Sequence, residues 1–317
     1  MPKLWVGVDV GGTKTAVVLA QQPPVVLGRA EFATLPAEGP QYALERVVAS
    51  IDDLLRQHGF ARDAIAAIGV SCGSPLDRVR GIVQAPPNLP TWVDVPICRL
   101  LSEAFQAPCR LENDANAGAV AEHRYGAGVG ADHMLFLTLG TGLGAGIIAG
   151  GRLYLGAQGD AGEIGHVRLS PTGPVGYHKA GSIEGWSSGG GIAQLAVRLV
   201  AQAARRGQAS ALPPHGITAK DVGQAAAAGD AVALRILGAS GKRLGQALAM
   251  LVDVLNPQRI VLGGLAWRMG EPLMGPMRRE LAREALPQTL RACTIVPAAL
   301  GEQIGDIAAL CVAMGLE

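Results

Sequence analysis

Asp9 stands just upstream of Gly11-Gly12-Thr13-Lys14, inside the stretch 6–20, Val-Gly-Val-Asp-Val-Gly-Gly-Thr-Lys-Thr-Ala-Val-Val-Leu-Ala. Two β-branched runs flank the glycines, so the stretch reads as a β-hairpin whose tight turn exposes backbone N–H groups, a hydroxyl and an ammonium. Such a turn suits the phosphates of a nucleotide. Asp9, at the end of the strand, is placed where a carboxylate holds a hydrated Mg²⁺ beside them. An ordinary hairpin with a Gly-rich turn accounts for the same residues, because short Gly-rich motifs recur widely.

A second copy weighs against the ordinary reading. Leu137-Thr138-Leu139-Gly140-Thr141-Gly142-Leu143-Gly144-Ala145-Gly146-Ile147-Ile148-Ala149 repeats the plan 129 positions later, with Asp9 against Thr138, Gly12 against Thr141, Ala16 against Ala145 and Val18 against Ile147. Two hairpins imply two related halves. The expectation is two turns, Gly11 to Lys14 and Gly140-Thr141-Gly142, facing each other across a cleft and gripping one polyphosphate.

The elements that must carry these turns follow the pattern of an α/β protein. A third strand is expected over 25–34, then an amphipathic helix whose apolar positions Leu44, Val47, Val48, Ile51, Leu54 and Leu55 keep helical spacing, then a continuously apolar strand over 65–70. Strands followed by crossover helices argue for an α/β fold, and ligands are to be sought at the ends of such strands. Asp114, in Glu112-Asn113-Asp114-Ala115-Asn116, lies at a strand-to-helix junction, where capping alone is a sufficient reason for an aspartate. A long helix is expected from Asp230 to Leu255, and a closing one over 301–316. The turn Gly263-Gly264 follows the strand 259–262; a plain strand-to-helix glycine turn explains it.

With 317 residues, 49% hydrophobic and 17% charged, the chain can bury two domains. A net charge of +1 gives no argument for nucleic acid or an acidic partner. No apolar run of about eighteen residues points to a membrane span, and no signal peptide is evident; a cytoplasmic protein is expected. Cys72, Cys98, Cys109, Cys293 and Cys311 are scattered and odd in number. Buried free thiols are the expectation.

The two turns resemble the paired phosphate loops of the sugar kinase, Hsp70 and actin superfamily, and Asp9-Val10-Gly11-Gly12-Thr13-Lys14 is similar to the opening of its ROK branch, the bacterial glucokinase-like sugar kinases. The resemblance implies a two-domain actin-like ATPase fold, a duplicated ribonuclease H-like α/β fold with a cleft between domains. A small domain is expected over 1–115, with the helix 302–317 packing back on it, and a large one over 116–301. Five further segments match in order. Cys72-Gly73-Ser74-Pro75-Leu76-Asp77 and Asn88-Leu89-Pro90-Thr91-Trp92 look like the Gly-Pro-Leu-Asp and Asn-Leu-x-x-Trp segments, in which the asparagine contacts a sugar hydroxyl; alone, they read as a proline-rich surface loop. Glu112-Asn113-Asp114-Ala115-Asn116 is carried intact. The resemblance makes Asp114 the catalytic base and Asn113 a sugar contact.

Gly162-Glu163-Ile164-Gly165-His166 resembles the segment whose Glu and His bind sugar hydroxyls, and Ile260-x-x-Gly263-Gly264 resembles the adenosine-binding turn. Beyond the first of these the family usually carries three cysteines that, with that same histidine, hold zinc. Here Val175, Tyr177 and Ser182 stand at the cysteine positions. They cannot replace three thiolates, so no structural zinc is expected, and His166 with His178 lacks further ligands. Glu184, which survives from the end of the motif, is retained as a sugar contact, its loop expected to be held by apolar packing around Val175, Tyr177 and Trp186.

The expected activity is ATP-dependent and Mg²⁺-dependent phosphorylation of a hexose or N-acetylhexosamine at O6, in a homodimer by family analogy. A sugar-responsive repressor is the second class. Its relatives carry an N-terminal helix-turn-helix, for which a hairpin opening at residue 6 leaves no room. A catalytically idle sugar-binding protein, suggested by the missing cysteines, is the third.

Overall fold

A computed structural model describes residues 3–316. It divides into two compact units, one running to Gly130 with Arg152–Gly159 and the segment from Leu300, the other formed by Ala131–Gly151 and Asp160–Ala299.

In the first unit, β1 (Leu4–Val10), β2 (Lys14–Ala20) and β3 (Gly28–Ala33) form an antiparallel meander, and β4 (Ile65–Cys72) and β5 (Cys109–Asn113) lie parallel to β1, in the order β3-β2-β1-β4-β5. β4 is buried along nearly its whole length, as its unbroken apolar run requires. β3 is shorter than the expected 25–34, because pairing with β2 starts only where Leu19 meets Gly28. Helix α1 (Gly39–Gln57) turns Leu44, Val47, Ile51, Leu54 and Leu55 inward; α2 (Ile97–Phe105) buries Ile97, Leu101 and Phe105. The C-terminal helix Ile304–Met314 lies directly on β1 and β4. A Cβ on Gly69 would fall 2.1 Å from the amide of Ala313, so only glycine admits that approach. Helix α3 (Asp114–Tyr125), which follows β5, belongs to this same unit.

In the second unit, β6 (Met134–Leu139) and β7 (Leu143–Ala149) form the second hairpin, and β8 (Arg259–Leu262) and β9 (Thr294–Pro297) lie parallel to β6, in the order β7-β6-β8-β9. Its helices are α4 (Ile183–Ser187), α5 (Gly189–Arg205), α6 (Ala219–Ala227), α7 (Ala231–Leu255), α8 (Gly264–Arg268), α9 (Glu271–Glu284) and α10 (Pro287–Ala292). Asp230 caps α7 by accepting from the amides of Val232 and Ala233 at 2.9 and 2.8 Å. No helix among the described residues is long and apolar enough to cross a membrane.

The internal repeat is closer on its incoming strands than on its outgoing ones. Val10 pairs with Thr15, leaving four residues in the first turn, whereas Leu139 pairs with Leu143, leaving three in the second. Asp9 faces Ala16 and Thr138 faces Gly144. The outgoing strands therefore correspond one residue earlier than the constant offset implies, Ala16 with Gly144 and Val18 with Gly146. The tighter second turn is the reason.

Candidate active site

In the first unit the site begins with register. Asp9 lies beside Ser71, and Ser71 beside Glu112, in one row across β1, β4 and β5; Val10, Cys72 and Asn113 make the next row, at the carboxyl ends of three parallel strands. Asp9 is half-buried. Burial, then the nearby charges of Asp114 and Asp306, push its pKa up to about 6 against a lowering hydrogen bond with Ser71. The first turn of the C-terminal helix reaches this carboxylate: a Cβ on Gly305 would fall 2.2 Å from Asp9 Oδ2.

The glycine turn is closed by the Gly11 amide donating to the Lys14 carbonyl at 3.0 Å, and the Thr34 hydroxyl donates to the Gly11 carbonyl at 2.6 Å. Gly12 abuts Asn88, since a Cβ there would meet the Asn88 Cβ at 2.7 Å and its carbonyl oxygen at 2.8 Å. Asn88 thus sits against the first turn, with its amide also near Gly73. Thr13 and Lys14 are exposed. The Lys14 ammonium pairs with Glu31 of β3 at 3.0 Å, Glu31 also pairs with Arg29, and Arg29 Nε donates to Asp306 Oδ2 at 2.8 Å. An exposed pair of this kind contributes little, so Lys14 is readily exchanged to a stronger anion.

Capping of α3 falls to Asn113 rather than Asp114. Asn113 Oδ1 accepts from the amides of Ala115 and Asn116 at 2.9 and 3.3 Å, which leaves Asp114 as the first helical residue. Asn113 Nδ2 donates to the Ser74 hydroxyl at 2.8 Å. Asp114 is open to solvent, yet protein atoms crowd it, and that desolvation drives its pKa upward against the opposing hydrogen bond from the Ala115 amide. Beneath it, buried Glu112 accepts from the Asn113 amide, Asn116 Nδ2 and Arg78 Nε at 2.9, 3.1 and 2.9 Å, fixing the corner that carries Asp114.

The second unit gathers its own set. Gly140, Thr141 and Gly142 form the three-residue turn, and the amides of Gly189 and Gly190, at the start of α5, donate to the carbonyls of Gly140 and Thr141 at 2.8 and 3.1 Å. Glu184 Oε2 accepts from the Leu143 amide at 3.0 Å, so this residue braces the turn. Gly263 donates to the Leu137 carbonyl at 2.7 Å, and a Cβ there would meet Leu137 O and Leu139 N at 3.0 Å. Gly264 lies beside the Arg268 guanidinium. Glu163 and His166 flank and end a short 3₁₀ turn, both exposed.

The loop expected to be held by apolar packing is held otherwise. Val175 is 45% exposed and Tyr177 55%, and only Trp186, at 7%, is buried. Val175 and Gly176 pair with Ala180 and Lys179 in a two-stranded hairpin, and Gln194 of α5 accepts from the Val175 amide and donates to its carbonyl at 2.9 and 2.8 Å. Backbone pairing replaces burial because the hairpin stands at the surface. The donors at the three cysteine positions do not fit zinc: Val175 has none, the Ser182 hydroxyl caps α4 through the Gly185 amide, and the Tyr177 ring lies against His166.

Sequence reasoning missed Ser71, Ser74, Glu31, Asp306 and the Gly189-Gly190 contact. The run Ser187-Ser188-Gly189-Gly190-Gly191 signalled close backbone approach; Ser71 and Glu31 depend on strand register, and Ser74 and Asp306 on contacts between segments far apart in the chain.

The hard oxygen donor of Asp9, beside the glycine turn, fits Mg²⁺, which keeps most of its waters and takes one or two carboxylates plus phosphate oxygens. At Gly140 the space a Cβ would take is open, so bare backbone there fits a nucleotide that must approach the main chain closely, whereas the same space at Gly12, Gly142 and Gly263 is taken by Asn88, Glu184 and the β6 backbone.

The chain is 34% identical to a glucokinase of Halalkalibacterium halodurans over 96% of its length and 92% of that protein's. Among solved structures, the ROK hexokinase from Thermus thermophilus superposes with a TM-score of 0.79 at 31% identity, each chain being covered to 98%. A ROK family glucokinase from Streptomyces griseus, in complex with glucose and AMPPNP, gives 0.79 at 30% identity, covering 98% of this chain and 99% of that one. The fold is thus the actin-like ATPase fold of these sugar kinases. The ROK family model itself matches residues 5–315, and the chain belongs to the ROK family.

Proposed function

We propose that this chain is an ATP-dependent hexose kinase, with Asp114 as the base that accepts the proton of the attacking sugar hydroxyl. The observation that carries the reading is the corner at the end of β5. Asn113 takes over capping and Glu112 fixes the backbone, so the Asp114 carboxylate is left facing solvent at the same sheet end as Asp9. Its raised pKa suits a base that must hold a proton during transfer.

ATP with Mg²⁺ supplies the electrophilic γ-phosphoryl group and neutralises the charge that develops on it. Asp9 binds the hydrated cation, Gly11, Gly12, Thr13 and Lys14 bind phosphate oxygens, and Gly140, Thr141 and Gly142 bind them through backbone amides and a hydroxyl. Gly263 and Gly264 receive the adenosine. Asn88, Asn113, Glu163, His166 and Glu184 hold sugar hydroxyls. Glu184 does so with the oxygen that does not brace Leu143.

A panel of glucose, mannose, fructose, allose and the N-acetylhexosamines, assayed for ADP release and for the sugar phosphate, tests the reading. One preferred hexose is expected; ADP release without a sugar phosphate contradicts it. Phosphorylation at O6 and a homodimer belong to the same proposal. Phosphorus NMR of the product checks the first and sedimentation the second.

A further inference from the structure

We propose that Tyr177 and Lys179 position His166 for the sugar, so that this loop does without the metal ion that its relatives are expected to use. The inference rests on the sugar-kinase reading, in which His166 touches substrate.

His166 ends a single 3₁₀ turn, Ile164–His166, and is exposed. An imidazole there has little to hold it, and unrestricted rotation costs affinity when a ligand must freeze it. Two contacts reach it from the neighbouring hairpin. Lys179 Nζ donates to the His166 carbonyl at 2.8 Å, and the Tyr177 ring meets the imidazole edge to face, with centroids 6.1 Å apart and planes at 72°.

The hairpin carries a conformational cost to bring Tyr177 there. Its two turn residues, Tyr177 and His178, have φ of 37° and 63°, the left-handed backbone that two-residue hairpin turns demand and that Asn-Gly ordinarily fills. Side chains with a bulky Cβ substituent avoid it. The strain persists because Gln194 clamps Val175 twice and the Gly181 amide donates to the Pro174 carbonyl at 2.9 Å. An Asn-Gly turn would relieve the strain and lose the ring, so the ring is what the strain retains. With neither imidazole nitrogen given to a metal, both ring nitrogens of His166 are left for adjacent hydroxyls.

The test compares wild type with Tyr177→Phe, Lys179→Met and the double variant Tyr177→Asn, His178→Gly, which keeps or improves the turn. We expect Tyr177→Phe within twofold of wild type in every constant. The double variant should raise the sugar KM about fivefold to tenfold, with ATP KM and kcat within twofold and Tm equal or higher. Lys179→Met should raise the sugar KM about threefold. A zinc chelator should leave the sugar KM unchanged. An unchanged sugar KM in the double variant overturns the proposal, as does one zinc per chain whose removal raises that KM. Wild type that phosphorylates no sugar overturns the kinase reading and this inference together; a working wild type with an indifferent double variant overturns this inference alone.

Discussion

The first glycine turn is surrounded by charge: Asp9 before it, Lys14 within it, and a chain of pairs from Lys14 through Glu31 and Arg29 to Asp306 beside it. The second has Thr138 where the first has Asp9, is one residue shorter, and is fastened by backbone amides from α5 and by Glu184. In the proposed kinase one hairpin plan therefore serves two tasks. The charged copy can take a cation and a reacting phosphate, whereas the neutral copy can present fixed N–H dipoles to an anion at no further electrostatic cost.

Within that comparison the largest expected effect is on turnover. Asp9→Ala should lower kcat about 100-fold or more, while Thr138→Ala, at the corresponding position, should change it by less than about fivefold. Equal losses in steady-state assays would erase the distinction between the turns.

Next comes Glu184→Ala, which strips the Leu143 amide of its acceptor. A loss of about 1–3 kcal/mol in denaturant stability is expected, with a raised ATP KM. Unchanged stability and ATP KM would show that Glu184 does not brace the second turn.

The raised pKa of Asp9 gives a signed prediction of stability. Because its carboxyl ionises at about 6 in the fold and at 3.8 ordinarily, the folded state favours the protonated form. That preference stabilises the fold fully below pH 3.8 and is lost as pH rises to about 6. At pH 7 the ionised group leaves the ligand-free protein without it, on the order of 3 kcal/mol. Asp9→Asn should therefore raise Tm at pH 7 and gain little near pH 4, while losing activity. A lower Tm at pH 7 would contradict the assigned burial.

The smallest effect is expected at Ser74, whose hydroxyl takes one of the two Asn113 amide hydrogens. Ser74→Ala should shift the sugar KM about threefold and leave the ATP KM alone.

Much of this was legible in the sequence, and what was not has a common cause. Alternation and helical spacing read out both hairpins, β4, α1 and α7, because those signals are local. Asp114 could be found from its segment, but its release from capping could not, since an asparagine and an aspartate side by side compete equally for the N-cap. The partner of Lys14 was hidden because β3 supplies it through cross-strand register. The exposure of Val175 and Tyr177 was missed because an apolar residue type says nothing of a two-residue turn at the surface.

The most direct test of the account is single-turnover phosphoryl transfer by Asp114→Asn to the hexose that the sugar panel prefers, with nucleotide affinity measured on the same sample. ATP bound as in wild type, with transfer slowed about 10²- to 10⁴-fold, is the predicted result. Transfer within tenfold of wild type would contradict the assignment of Asp114 as the base.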